Sequence, residues 1–339
     1  MKGFRLLFLL FVIGFLAAAV GAQQDEMMIP QLSFHFGVSQ DPPGDRMLPH
    51  VSRHIVFSVE DTKIISKLED GSVVQWDLET REEEYITTTK DLFAYSPAQN
   101  LLLVRKKNDD VTLIRLDTNQ EIVLTSGTFE HGSLSANGKF VALSRGDKEI
   151  EIWDADQKRL IKHLKAVEPV RNGLAISHDG QYVAAAEGTY QDGEGHRTKI
   201  EVWDIKQDTP ADLIDTGIIL GVWNLHFSPD ASMLAIDSQI EAQAGIRVWE
   251  RSTREELCII DNLEAYWARA LTFALDGKYI ALGDESGVLI LLNIKEDREV
   301  FALRVDTGVE SLAFSHDGRY MAVGLFDSTV QIWELKSNL

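Results

Sequence analysis

The sequence predicts an all-β fold, a seven-bladed β-propeller of four-stranded antiparallel blades. Three observations carry that reading. A strand-like run ends in Trp-Asp or a variant of it seven times, at intervals of about 40 residues, which is the period of a propeller blade. The carriers are Trp76-Asp77, Ile114-Arg115, Trp153-Asp154, Trp203-Asp204, Trp249-Glu250, Leu292-Asn293 and Trp333-Glu334. A Ser-x-Asp-Gly-like turn stands ahead of most of these marks. Finally, the last unit stops just after its third strand, so its fourth must come from the other end of the chain.

The N-terminus reads as an export signal. Lys2 and Arg5 form a positive start, Leu6 to Val20 is apolar apart from glycine, and Val20-Gly21-Ala22 offers small residues for cleavage. Fifteen apolar residues are short of the ~20 that a spanning helix needs, although an uncleaved anchor is the alternative. Residues 1–22 are therefore expected to be a signal peptide, 23–44 a linker and 45–339 the propeller. No second hydrophobic segment follows, so the mature chain is expected not to span a membrane. Loss of Lys2 and Arg5 would take the net charge from −20 to −22. Such a surface repels nucleic acid and anionic headgroups.

Each unit repeats one order. An inner strand ends in an apolar residue and enters the turn, as in Leu174-Ala175-Ile176 before Ser177-His178-Asp179-Gly180. Asp-Gly tolerates the positive φ that a tight hairpin requires. A second strand follows, for example Tyr182 to Ala186, and then a third such as Ile200-Glu201-Val202-Trp203. Alternation puts the two aliphatics on one face and the Trp on the other. Both faces are then apolar, as stacking between blades demands. The outer strand is the least regular. The segment from Arg46 to Val51 is expected to close the ring. Leu32 to Val38 alternates better but lies beyond Pro42-Pro43-Gly44.

With turn and end mark together at fixed spacing, the chain resembles the WD40-repeat proteins over residues 45 to 339. The resemblance implies a seven-bladed propeller that hosts protein interactions. It departs from the family in lacking the Gly-His pair before the first strand. The Asp six residues ahead of the end mark survives only as Asp70, Asp147 and Asp327. The family's buried Asp-His-Ser/Thr-Trp network is therefore expected to be absent or incomplete.

Function is expected on one rim. Blade four carries an inserted turn, Gly188 to Arg197, which holds Tyr190 and His196. Blade five carries another, Asp237 to Gly245. Long turns on adjacent blades make a wall, and binding concentrates on such loops. Trp223, Tyr266 and Trp267 fall outside the repeat logic on the same rim, as aromatic contact residues or as a channel plug. Four places before the last apolar residue of each inner strand stand Arg53, Asp91, Glu130, Asn172, Trp223, Arg269 and Glu310. This unrepeated set would crown the channel and suits recognition of a polypeptide.

No catalytic constellation, cofactor motif or metal spacing is legible. The nine histidines are scattered, with His178 and His316 reading as turn residues. The lone Cys258 sits among aliphatics and reads as a buried small hydrophobe. Absent disulfides and Asn-x-Ser/Thr sites favour a bacterial periplasm or secretion. The expected function is a non-catalytic, exported platform for protein or peptide partners. A propeller enzyme acting at the channel mouth is the alternative.

Overall fold

A computed structural model of the chain describes residues 30–36 and 54–335, except 69, 192–194, 208, 219–221, 223, 241–242, 261–267 and 328. Seven four-stranded antiparallel sheets follow one another around a ring. Blade one, for example, runs through Ile55–Phe57, Lys63–Lys67, Ser72–Asp77 and Glu83–Thr88. Among the described residues no helix is long and apolar enough to cross a membrane.

The core is seven apolar clusters, one at each seam between blades. Ile200 and Val202 of blade four pack towards Leu234 and Ile236 of blade five. Trp203, from the same strand, packs backward onto Ile150 and Ile152 of blade three. Trp249 and Trp76 likewise face the preceding blade. The degenerate marks keep this geometry: Leu292 and Ile114 occupy the Trp place in their own seams. The end mark is thus a packing position, and a large aliphatic fills it too.

The buried Asp-His-Ser/Thr-Trp network is replaced by shorter links. Asp70, Asp147 and Asp327 accept backbone N–H groups of their own turns from Ser72, Glu149 and Thr329. The indole N–H groups of Trp76, Trp153 and Trp333 reach Glu83, Glu151 and Gln331 at 2.9–3.1 Å.

A serine organises the turn after each of several inner strands. Ser177 Oγ donates to Asp179 Oδ1 at 2.6 Å and accepts the N–H of Tyr182 at 2.9 Å. Ser135, Ser228 and Ser315 repeat both bonds. All four are fully buried, so the hydroxyl must find both partners inside the turn.

The ring closes through Pro30–Phe36, not through the segment from Arg46 to Val51. Pro30–Phe36 pairs antiparallel with Val330–Leu335, from Pro30 opposite Leu335 to Phe36 opposite Val330. Part of the expected 23–44 linker is therefore the outer strand of blade seven, and residues 46–51 lie outside the described residues. The reason is that a Pro-Pro-Gly sequence disfavours strand where it stands but does not limit how far a connection reaches. Lengthening a surface connection costs little, so the better alternating segment takes the edge.

The two inserted turns are also sheet rather than loop. In blade four Tyr182–Gln191 pairs with Gly195–Asp204 out to Gln191 opposite Gly195. In blade five Met233–Ile240 pairs with Gln243–Glu250 out to Ile240 opposite Gln243.

Gly180 and Gly318 hold the same turn position, with φ of 75° and 71°. A Cβ at Gly318 would meet nothing within 4 Å, whereas one at Gly180 would lie 2.5 Å from Phe140 Cδ2. Gly318→Ala should cost only the left-handed backbone term, about 1–2 kcal/mol. Gly180→Ala should cost more, because the Phe140 ring must move as well. Urea denaturation of the two variants measures the difference, and equal losses would contradict the packing described.

Candidate functional site

The inner strands of all seven blades line a central channel of about 1120 Å³. They run in parallel around the axis, so the start of each strand faces one mouth and its turn faces the other. The mouths are roughly 20 Å apart, six residues at ~3.3 Å each.

At the first mouth stand Asp91, Glu130, Arg269 and Glu310, four of the seven predicted crown positions, together with Lys67 and Asn224. Two of them owe their aim to β-bulges. Ala268 pairs with Asp284 and Ala270 with Gly283, so the register shifts at Arg269. The register shifts in the same way at Glu310, between Val309 and Ser311. A bulge kinks the strand and re-aims the extra side chain.

Of the remaining crown positions, Asn172 pairs with Ala186 in the inner strand of blade four. Arg53 and Trp223 lie outside the described residues, as do Tyr266 and Trp267. Tyr190 and His196 sit directly opposite each other in the blade-four hairpin. That hairpin rises from the strand ends at the crown side of its blade.

The crown charges are largely balanced. Asp91 Oδ2 accepts from Arg105 Nε at 2.7 Å, and Arg105 also lies 3.8 Å from Asp109. Arg269 Nη2 is 3.8 Å from Glu285 Oε2, with its guanidinium 5.7 Å from the Phe326 ring centroid. Glu130 is exposed. Asn224 fixes this rim: its backbone N–H and side-chain amide both donate to the fully buried Asp237, at 2.6 and 2.5 Å. The same amide donates to Arg269 O at 3.1 Å, tying blade five to blade six. Such pairing gives a rigid, mixed-charge surface.

The second mouth differs in kind. Pro97, Ala136, His178, Pro229, Leu275 and His316 line it. His178 and His316 belong to their turns as expected, but they also face the channel. His316 and its neighbour clasp the seam between blades seven and one. Asp61 Oδ1 accepts the His316 backbone N–H at 2.7 Å and contacts its ring Nδ1 at 2.8 Å, and Asp61 Oδ2 accepts the Asp317 N–H at 2.9 Å.

Five of the nine histidines, scattered in sequence, share the channel wall. His54, His131, His178, His226 and His316 all line the channel. The repeat register held the signal: His54 and His131 both stand one place after a crown position, and His226 stands three places after. Burial among the channel walls brings the His226 pKa down to about 4. Burial and the charge of His316 also lower that of His178, against an opposing pull from Asp179. His226 is therefore neutral at pH 7. Among the described residues no group of three His, Cys, Asp or Glu is placed to hold a metal ion. Cys258 is buried, and burial first, then Asp297, pushes its thiol up to about 12.

Comparison with known proteins agrees with this architecture. The family model "WD domain, G-beta repeat" matches residues 300–334, from the outer strand of blade six to the last strand of blade seven. Repeat and ring together support a WD40 β-propeller. The chain is 24% identical over 222 residues to the Drosophila melanogaster Protein LST8 homolog, covering 64% of this chain and 61% of that protein. It is 26% identical over 200 residues to the Schistosoma mansoni WD repeat-containing protein SL1-17, with 59% and 63% covered. The matched stretch thus spans less than two thirds of either relative's length. Among solved structures, a chain of Kuenenia stuttgartiensis Hydrazine Synthase superposes with a TM-score of 0.71 at 16% identity, covering 89% of this chain and all of that one. At that identity the likeness is one of fold.

The lowered His226 pKa has a measurable consequence. The folded state keeps this imidazole neutral while the unfolded chain protonates it below about 6.5. Its contribution to stability is therefore present above that value and lost as pH falls towards 4. His226→Phe should flatten the stability profile in that window, leaving the smaller slope due to His178. Imidazole NMR should place the His226 midpoint near 4, and a midpoint near 6.5 would contradict a desolvated channel wall.

Proposed function

We propose that the chain is an exported, non-catalytic interaction platform that binds a polypeptide segment across the crown mouth of its channel. One observation carries the reading. Packing positions repeat from blade to blade, whereas the crown changes identity at every blade and turns Arg269 and Glu310 towards the mouth at bulges. A set that varies around a constant scaffold suits an asymmetric partner. The paired hairpins of blades four and five add a wall beside it. One relative is itself named a WD repeat-containing protein, which supports a platform. Lys2, Arg5 and the apolar run to Val20 support export, to a bacterial periplasm or beyond. The net charge of −20 supports a partner other than nucleic acid.

The five channel histidines favour a second reading, an enzyme working inside the channel. A stoichiometric metal in the purified protein, or turnover abolished by His131→Ala, would support it.

Affinity capture from the native envelope fraction separates the two. Arg269→Ala with Glu310→Ala should weaken partner capture at least tenfold, about 1.4 kcal/mol or more. Leu275→Ser, at the opposite mouth, should leave capture unchanged. Equal capture by all variants and the parent chain would remove the crown as the binding surface.

A further inference from the structure

We propose that Glu187 and Glu201 form a one-proton latch at the seam between blades three and four, and that rising pH releases it. In the blade-four sheet Glu187 lies opposite Lys199 and Glu201 opposite Ala185. Both carboxyl groups therefore share the face that carries Val183, Ala185 and Trp203 onto blade three. Glu187 is 2% exposed and Glu201 3%. Each accepts one N–H from the link between the blades: Glu168 to Glu187 Oε2 at 2.9 Å, and Val167 to Glu201 Oε2 at 3.4 Å.

The other oxygen of Glu187 is the telling one. Oε1 is buried and receives no hydrogen bond from the protein, although the two carboxyl groups lie within hydrogen-bonding reach. Two ionised carboxylates can only accept, so the contact would be repulsive and Oε1 orphaned. A single proton between them turns the contact into a hydrogen bond. The surroundings favour holding it. Burial, first, and contact with Glu201, next, raise the Glu187 pKa well above the ordinary carboxylate range, and the charge of Glu168 raises it further. On the blade-three side, Lys148 is 3.4 Å from Glu168 Oε2, and Asp147 caps its own turn through Glu149. Lys199 shares the face with the pair, is half-buried, and lies opposite Asp215 on its other side.

The latch has something to hold. Ala166 and Val170 donate backbone bonds to Lys148 and Asp147, and Gly188, where the long hairpin begins, donates to Pro169 at 3.4 Å. The link 166–169 thus joins blade three to the base of the blade-four hairpin. The folded state keeps a proton that the unfolded chain gives up near the ordinary glutamate value. The contribution is therefore complete below that value and lost as pH rises to the folded pKa. Above it, two adjacent buried charges sit under the link and loosen it.

Carboxyl-carbon NMR of the labelled full chain, with amide exchange at Val167 and Glu168 corrected for intrinsic rate, tests the latch. One glutamate should titrate above pH 7, and its signal should vanish in Glu187→Gln. Protection of the two amides should fall at least tenfold between pH 6 and pH 9. In Glu187→Gln it should hold steady, because the side-chain amide donates permanently to Glu201. Should that variant fail to fold, Glu201→Gln carries the same expectation. All glutamates titrating below pH 6, or protection falling equally in parent and variant, would overturn the proposal.

Discussion

Every sheet in this ring is buried on both faces, and no blade can satisfy that condition by itself. The aliphatics of each third strand need the next blade, and the residue at the end mark needs the previous one. A linear array would leave two apolar faces and two strand edges exposed at its ends. Closure is therefore what the rest of the structure depends on, and it is achieved by joining the first described strand, Pro30–Phe36, to the last, Val330–Leu335. Around the turn mouth the same seam is held again by Asp61 and the His316–Asp317 backbone.

Closure separates two kinds of position. Those that touch a neighbouring blade are constrained by shape, so Trp76, Trp203 and Trp249 recur, and Leu292 or Ile114 substitute without changing the geometry. Those that face the channel touch no repeated neighbour and are free to differ. The bulges at Arg269 and Glu310 exploit that freedom by lifting charged residues out of the ladder. The Asn224–Asp237 bonds then hold that rim rigid. The long blade-four hairpin is anchored differently, through a carboxyl pair beneath the inter-blade link.

The blade count, strand order and end-mark packing were legible because they repeat. A period of about 40 residues reports the architecture seven times over, and alternation along Ile200 to Trp203 fixes which face meets which neighbour. The crown was legible as a register position, and Asp91, Glu130, Arg269 and Glu310 stand at the channel mouth. What sequence reading missed was non-local or unrepeated. The closing strand was misplaced because strand-breaking residues say little about how far a connection can reach. The inserted turns read as loops because they are extra to the repeat, yet paired backbone runs almost to their tips. The channel histidines went unseen as a group because each belongs to a different blade. No sequence pattern announces Glu187 and Glu201 as neighbours, since their contact follows from the diagonal of a sheet buried against another blade.

Cross-linking across the closing seam is the most direct test of this account. Gln31 lies opposite Glu334 in the register, so Gln31→Cys and Glu334→Cys together should form a disulfide within one chain on mild oxidation. The buried Cys258 should take no part. Peptide mapping by mass spectrometry should find the 31–334 bridge, with a raised melting temperature in the oxidised form. Absence of that bridge, with efficient bridging from Leu48→Cys to Glu334→Cys instead, would contradict closure by Pro30–Phe36.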